Sequence, residues 1–287
     1  MAIPPFFTDP AVFTLYCGAL GLIVGSFLNV VILRLPRMMD QSWRRECCEL
    51  MNQPAPDEPK VSLSFPGSQC PNCGSPIRPW HNIPVLSWVW LRGRCDQCRD
   101  PISVRYPLVE LVTGLLSAAA AWHFGFGQET ASALVLIWML IALTGIDLDT
   151  QLLPDAITLP LLWIGLGVNL FGIWTPLSSA VLGAILGYGS LWSVYWLFKL
   201  ATGKEGMGYG DFKLLAALGA WFGWHAVPLM ILLSSFVGAA LGIAILVAKQ
   251  QGRDTPMPFG PYLAGAGLLT LFFGDSLLNQ YLSMVAL

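Results

Sequence analysis

The chain has 287 residues, of which 55% are hydrophobic and only 11% charged, with a mean hydropathy of +0.63. This composition excludes a soluble globular domain and is typical of a protein that crosses a membrane several times. The formal net charge of −2 does not discriminate further between classes of protein. We expect membrane lipid around the chain and no nucleic-acid partner. The first ten residues lack Lys and Arg, so the first apolar run is interpreted as a retained helix.

Windows of about twenty residues predict an all-α polytopic membrane protein with about eight transmembrane helices. The predicted helices lie near 11–33, 107–124, 130–147, 156–173, 178–199, 212–224, 227–248 and 260–282. Gly-rich and Pro-containing segments separate them.

The basic residues predict the orientation of these helices. Ten of the 15 Lys and Arg lie between Arg34 and Arg105, and the other five lie near alternate loops of the eight-helix arrangement. The positive-inside rule makes their side cytoplasmic and places both termini on the outer side of the membrane.

Two acidic residues occur where apolar segments meet polar loops: Asp147 in LTGIDLDTQLLPD and Asp211 in GKEGMGYGDFKLL. An ionisable group at that depth is a functional hypothesis by default. Two neighbouring carboxylates cannot easily both ionise, so one can deprotonate water while the other holds a proton, as in aspartic proteases. Gly208 and Gly210 would let the backbone approach and hydrogen-bond an extended substrate.

Each acid also has a simpler interpretation. Asp211 could be only the N-cap of the sixth helix, and Asp147 and Asp149 only solvated residues at a helix end. Asp155 is predicted to be an N-cap. Glu110 could line a cavity or extend to the membrane interface.

The loop from about Pro36 to Tyr106 contains two cysteine pairs. Cys70 and Cys73 are followed, after 21 intervening residues, by Cys95 and Cys98. Two such pairs predict a structural Zn²⁺ site with four thiolate ligands, which would stabilise a loop too small to bury its own core. Two disulfides are the alternative, as is His81 in place of one thiolate.

The sequence resembles the type IV prepilin peptidases, also called prepilin leader peptidase/N-methyltransferases. The resemblance is carried by GSFLNVVILRLPR at 25–37, the cysteine pairs, RYPLVEL at 105–111, IDLDTQLLPD at 146–155 and GMGYGDFKLLAALGAW at 206–221. It implies an intramembrane aspartic protease of the GxGD type with Asp147 and Asp211 as the catalytic pair. Asp149 lies about 200° from Asp147 if the helix continues, so only one of them can face Asp211; the resemblance selects Asp147.

The resemblance also implies cleavage of the basic leader of prepilins and pseudopilins after a Gly, followed by methylation of the new N-terminus with S-adenosylmethionine. Asn29, Arg34 and Gly93 are hypothesised to help bind S-adenosylmethionine. The predicted domains are a first transmembrane helix at 1–35, a zinc-binding and methyltransferase segment at 36–106, and a peptidase domain at 107–287. An ion-coupled transporter and a membrane scaffold of a secretion apparatus are the alternatives, and no oligomeric state is predicted.

Overall fold

A computed structural model describes residues 9–54, 57–70, 72–249 and 258–285, which are predominantly helical and contain no β-strand beyond isolated bridges. The first eight residues lie outside these ranges, as does most of GRDTPMP at 252–258, the Pro-containing segment before the last predicted helix. The long helices are α1 Pro10–Leu50, α2 Arg105–Phe124, α3 Gln128–Thr150, α4 Asp155–Asn169, α5 Leu177–Thr202, α6 Tyr209–Phe222, α7 Ala226–Lys249 and α8 Gly260–Val285. Each corresponds to one predicted helix.

The first helix extends well beyond its predicted end at residue 33. Asp9 caps it by accepting a hydrogen bond from the backbone N–H of Ala11, and the helix continues through Pro36 to Leu50. The added turns are polar, and an ion pair of 2.9 Å joins Asp40 to Arg44 one turn later. Hydropathy therefore located the apolar part of α1 but not the end of the helix.

The chain divides into two compact units, residues 1–126 and 127–287. In the first unit α1 and α2 form an antiparallel pair with small residues at the contact. A Cβ added to Gly21 would lie 2.5 Å from the Ser117 hydroxyl, and one added to Gly25 would lie 2.7 Å from the Glu110 Cα. Such small-residue contacts allow close backbone approach between membrane helices.

The second unit surrounds α6. Nearly every residue from Asp211 to Trp221 is buried, although α6 has only 14 residues. Its Gly219 lies directly against Gly183 of α5, with no space for a side chain on either residue. The indole of Trp221 donates a hydrogen bond of 2.9 Å to the Leu161 carbonyl of α4. A helix that is apolar on all sides is thus enclosed by its neighbours.

Among the residues that the structure describes, four helices are long and apolar enough to cross a membrane: α1, α2, α3 and α5. The described apolar parts of α4, α7 and α8 are shorter, at 10–17 residues each. The all-helical membrane-protein class is therefore confirmed, whereas the count of eight spans stays a prediction.

Candidate active site and metal centre

Asp147 lies in the last turn of α3, which runs on to Thr150. Its side chain is only 4% exposed, whereas Asp149 is exposed. Since the helix is continuous here, the two carboxylates point in different directions. Asp147 is therefore the acid that faces the interior of this unit.

The first backbone N–H of α8 binds Asp147. Gly260 donates a hydrogen bond of 2.9 Å to Oδ2 of Asp147, and a Cβ at Gly260 would lie 2.6 Å from the same oxygen. The positive end of the α8 dipole thus lies beside the carboxylate. The two residues are 113 positions apart, and no signal in the sequence indicated this contact.

Asp211 is the third residue of α6, and Gly208 is the N-cap. The prediction that Asp211 might be the N-cap is therefore wrong, because α6 begins three residues earlier than predicted. The Asp211 carboxylate instead lies beside the backbone of Gly208, in the position of the reciprocal half of a capping box. Asp211 is 7% exposed, and its carboxylate is close enough to that of Asp147 for the two to repel each other.

The two predicted substrate-binding glycines differ in their surroundings. Gly208 is exposed beside the Asp211 carboxylate, where its backbone is open to another chain. A Cβ at Gly210 would lie 2.7 Å from the Cβ of Leu153, and Leu153 also contacts Gly260. Leu153 thus fills the space between the segments that carry the two acids, and Gly210 provides the room for it.

The glycine-rich loop before α6, residues 203–208, is fixed by side-chain contacts to α5 near each of its ends. Lys199 of α5 forms an ion pair of 2.8 Å with Glu205 and also donates to the Tyr195 hydroxyl. The Tyr209 ring lies 5.3 Å from the Tyr195 ring. These contacts position the loop relative to α5, and no motif in the sequence indicated them.

Asp155 is not the predicted N-cap, because Pro154 occupies that position and Asp155 is the first residue of α4. Its carboxylate instead forms an ion pair of 2.6 Å with Lys213. Lys213 is two residues beyond Asp211, so this pair connects the start of α4 to the first turns of α6.

The two cysteine pairs of the first unit form matching turns. Cys70 accepts a backbone hydrogen bond from Gly74, and Cys95 accepts the equivalent bond from Arg99. Both Gly74 and Arg99 have positive φ angles, 69° and 63°. An antiparallel bridge closes each turn, at Gln69–Pro76 and Arg94–Pro101.

The four sulfur atoms lie within 4.8 Å of one another, in a cluster consisting of Cys70, Cys73, Cys95 and Cys98. The Sγ atoms of Cys70 and Cys98 are 3.8 Å apart, close to the ~3.8 Å edge of a tetrahedron with Zn–S bonds of about 2.3 Å. Hydrogen bonds from the side chain and backbone of Ser75 lower the pKa of Cys73 to about 6. The thiols are free and not paired as disulfides, so the cluster fits one Zn²⁺ ion.

The predicted S-adenosylmethionine ligands make contacts within the first unit. The Asn29 amide donates to the Tyr106 carbonyl at 3.0 Å. Arg34 donates to the carbonyl oxygens of Ser62, Leu63 and Gly67. Arg34 thereby binds the loop to α1, whereas Asn29 binds α1 to the first turn of α2. These roles by themselves explain their positions, and the contact of both residues with S-adenosylmethionine stays a prediction.

Gly93 also has a packing role. Its φ is 66°, and a Cβ there would lie 2.7 Å from the Trp88 ring. The position therefore requires glycine for the loop's own packing, and its contact with the methyl donor likewise stays a prediction.

Glu110 is buried in the first unit. It lies between α1 and the loop and accepts a hydrogen bond of 2.7 Å from the Val85 N–H. Val85 has a φ of 60°, a value that β-branched residues rarely adopt. Glu110 thus holds a strained turn of the loop.

Two family models match the chain. Residues 19–124 match the Bacterial Peptidase A24 N-terminal domain, and residues 134–243 match the Type IV leader peptidase family. No solved structure matches.

Curated relatives match over nearly their full length, and each is named prepilin leader peptidase/N-methyltransferase. The protein of Stutzerimonas stutzeri is 54% identical over 98% of this chain and 97% of the relative. Those of Pseudomonas aeruginosa and Aeromonas hydrophila are 55% and 56% identical, over 96% and 92% of this chain and 95% and 91% of the relatives. The chain therefore belongs to the type IV leader peptidase family.

Proposed function

We propose that this protein removes the basic leader peptide from prepilins and pseudopilins and then methylates the new N-terminus. The observation that carries the proposal is a pair of buried, mutually interacting carboxylates, Asp147 and Asp211, in a member of this family. An ion-coupled transporter and a scaffold also fit the acids alone, but the relatives named as peptidases give them no support.

In the proposed cleavage step, the pair acts on the peptide bond that follows the leader's Gly. One carboxylate accepts a proton from a water molecule, whose oxygen attacks the carbonyl carbon. The other, protonated, carboxyl donates its proton to the carbonyl oxygen. The tetrahedral intermediate then collapses, and the C–N bond breaks as the amine takes up a proton. The products are the leader carboxylate and a free N-terminal amine.

Backbone groups at the starts of α8 and α6 fix the positions of the two acids during the proposed reaction. Gly260 donates a backbone hydrogen bond to Asp147, and the Asp211 carboxylate lies beside the backbone of Gly208, so backbone atoms, rather than flexible side chains, surround the two acids. The exposed backbone at Gly208 is the proposed contact for an extended substrate strand.

The proposed second step transfers a methyl group from S-adenosylmethionine to the free amine and leaves S-adenosylhomocysteine. The loop between α1 and α2 is the segment assigned to this step, with Asn29, Arg34 and Gly93 as candidate contacts. Zn²⁺ in the four-cysteine cluster is assigned a structural role, because four sulfur ligands leave no open position for a reactant.

The proposed topology has eight spans in the bacterial inner membrane, with both termini in the periplasm. The acids and the zinc loop then lie on the cytoplasmic side, where the prepilin leader meets its apolar helix. The division into 1–35, 36–106 and 107–287 is retained as the proposed domain organisation, with the helical extension to Leu50 included in the second segment.

The test is cleavage of a purified prepilin in detergent by the wild type, Asp147→Asn and Asp211→Asn, with mass spectrometry of the product. Both variants should lose about 10²- to 10⁴-fold in rate, since each removes a proton-transferring group. Asp149→Asn is the matched control and should cleave normally, because Asp149 is exposed on another face of α3. Undiminished cleavage by either of the first two variants would refute the aspartic mechanism.

A further inference from the structure

A short helix in the loop of the first unit, Leu86–Trp90, has an exposed apolar face. The side chains of Leu86, Val89 and Trp90 are 68%, 61% and 88% exposed. Their spacing of three and four residues places them on one side of the helix. Trp88, on the other side, donates its indole N–H to the Ile102 carbonyl at 3.1 Å and so attaches the helix to the rest of the loop.

The hydrogen bond between Val85 and Glu110 fixes the level of this short helix along α2. Glu110 is five residues beyond Arg105, which is about 7–8 Å from the start of α2 along its axis. The 20 residues of α2 match a hydrocarbon thickness of about 30 Å. Val85, and with it the beginning of the short helix, is therefore at the depth of the first turns of the apolar span, near the membrane surface at which α2 begins.

The surrounding charge is complementary to an anionic lipid surface. Between Pro76 and Arg105 the chain has five arginines, two acidic residues and His81, besides Cys95 and Cys98, which as zinc ligands would be thiolates. Arg92 and Arg94 follow the helix directly and are exposed. Tryptophan beside arginine is the combination found where proteins meet lipid headgroups.

We propose that Leu86–Trp90 is an interfacial membrane anchor. Its apolar face enters the boundary between headgroups and acyl chains in the leaflet where α2 begins, and Arg92 and Arg94 contact anionic headgroup phosphates. Insertion of about 5–10 Å is usual for such elements, which agrees with the depth at which Glu110 holds Val85. The proposal rests on α2 crossing the membrane and does not depend on either proposed enzymatic activity.

The test uses the full chain labelled with 5-fluorotryptophan in nanodiscs of phosphatidylglycerol and phosphatidylcholine. Substitution of Trp90, Trp43 or Trp122 by Phe assigns one fluorine resonance each. All three side chains are exposed; Trp122 belongs to α2 and Trp43 to the polar extension of α1. Lipid with a nitroxide at acyl carbon 5 should broaden the fluorine resonances of Trp90 and Trp122, which would lie in the membrane. A soluble gadolinium chelate should broaden the resonance of Trp43 more than that of Trp90.

Broadening of Trp122 but not Trp90 by the lipid nitroxide would overturn the anchor while leaving α2 as a span. Absence of lipid broadening at both positions would overturn the membrane placement of α2, and the anchor with it. Protection of Trp90 from both reagents would mean that another protein surface covers the face, which also overturns the proposal.

A second arm tests the headgroup contact. An arginine near an anionic surface contributes about fivefold to the affinity for that surface. Nanodiscs of phosphatidylcholine alone should therefore reduce the lipid broadening of Trp90 and leave that of Trp122 unchanged. Equal broadening of Trp90 in the two lipid compositions would refute the role of Arg92 and Arg94.

Discussion

Replacement of Gly260 by Ala should disable proteolysis without unfolding the protein. The new Cβ would lie 2.6 Å from Oδ2 of Asp147 and 3.1 Å from a Leu153 methyl carbon. The carboxylate must recede by about 0.8 Å to reach ordinary van der Waals contact at 3.4 Å, and its hydrogen bond to the Gly260 N–H lengthens or breaks. Because misplacement of a catalytic group by about 1 Å can lower the rate about 10²-fold, we expect a loss of that order in kcat.

The assay is the initial rate of leader removal at saturating prepilin, together with the thermal unfolding midpoint. Gly265→Ala is the matched control, since it lies in the same helix and a Cβ there would meet nothing within 4 Å. The control should cleave normally, and alanine there should leave α8 at least as stable. A Gly260→Ala enzyme with wild-type kcat would refute the idea that this backbone contact positions Asp147.

Two further predictions concern the zinc cluster and the ion pair beside α6. Cys70→Ser should lower zinc content, measured by mass spectrometry of the metal, and should reduce methylation more than cleavage; equal loss of both would make the loop part of the peptidase. Lys213→Asp should lower the cleavage rate about fivefold by removing the ion pair with Asp155 and placing like charges together. The double exchange Asp155→Lys with Lys213→Asp should restore the rate, and no recovery would show that the pair does not position the site.

The positions of the helices could be predicted because apolar runs of membrane length have few alternatives to helix. The fifth was expected at 178–199 and is observed at Leu177–Thr202. Hydropathy cannot show where a helix ends once its side chains become polar, which is why the continuation of α1 to Leu50 was missed. The two N-cap predictions failed because an acid at the cap and an acid in the first turn look alike in sequence.

The two acids could be predicted as site candidates because each is an ionisable group in apolar surroundings. The residues that position the two acids could not be predicted. Gly260 and Leu153 carry no chemical signal, and the contact between Gly260 and Asp147 joins residues far apart in the chain. For Glu110 the sequence left open whether it lines a cavity or extends to the interface, because its partner is a backbone N–H of the loop, which any residue at position 85 except proline would provide.

The contact between Gly183 and Gly219 affects how the results of a mutational scan of this protein should be interpreted. Gly219 is eight residues from Asp211, about 12 Å along α6. Any side chain at either glycine meets the backbone of the other helix, so substitutions there should abolish activity as completely as substitutions of the acids. A scan of activity alone will therefore show the contact between α5 and α6 to be as intolerant of substitution as the two acids. A measurement of folding distinguishes them, because substitutions of the acids leave the protein folded and substitutions of these glycines do not.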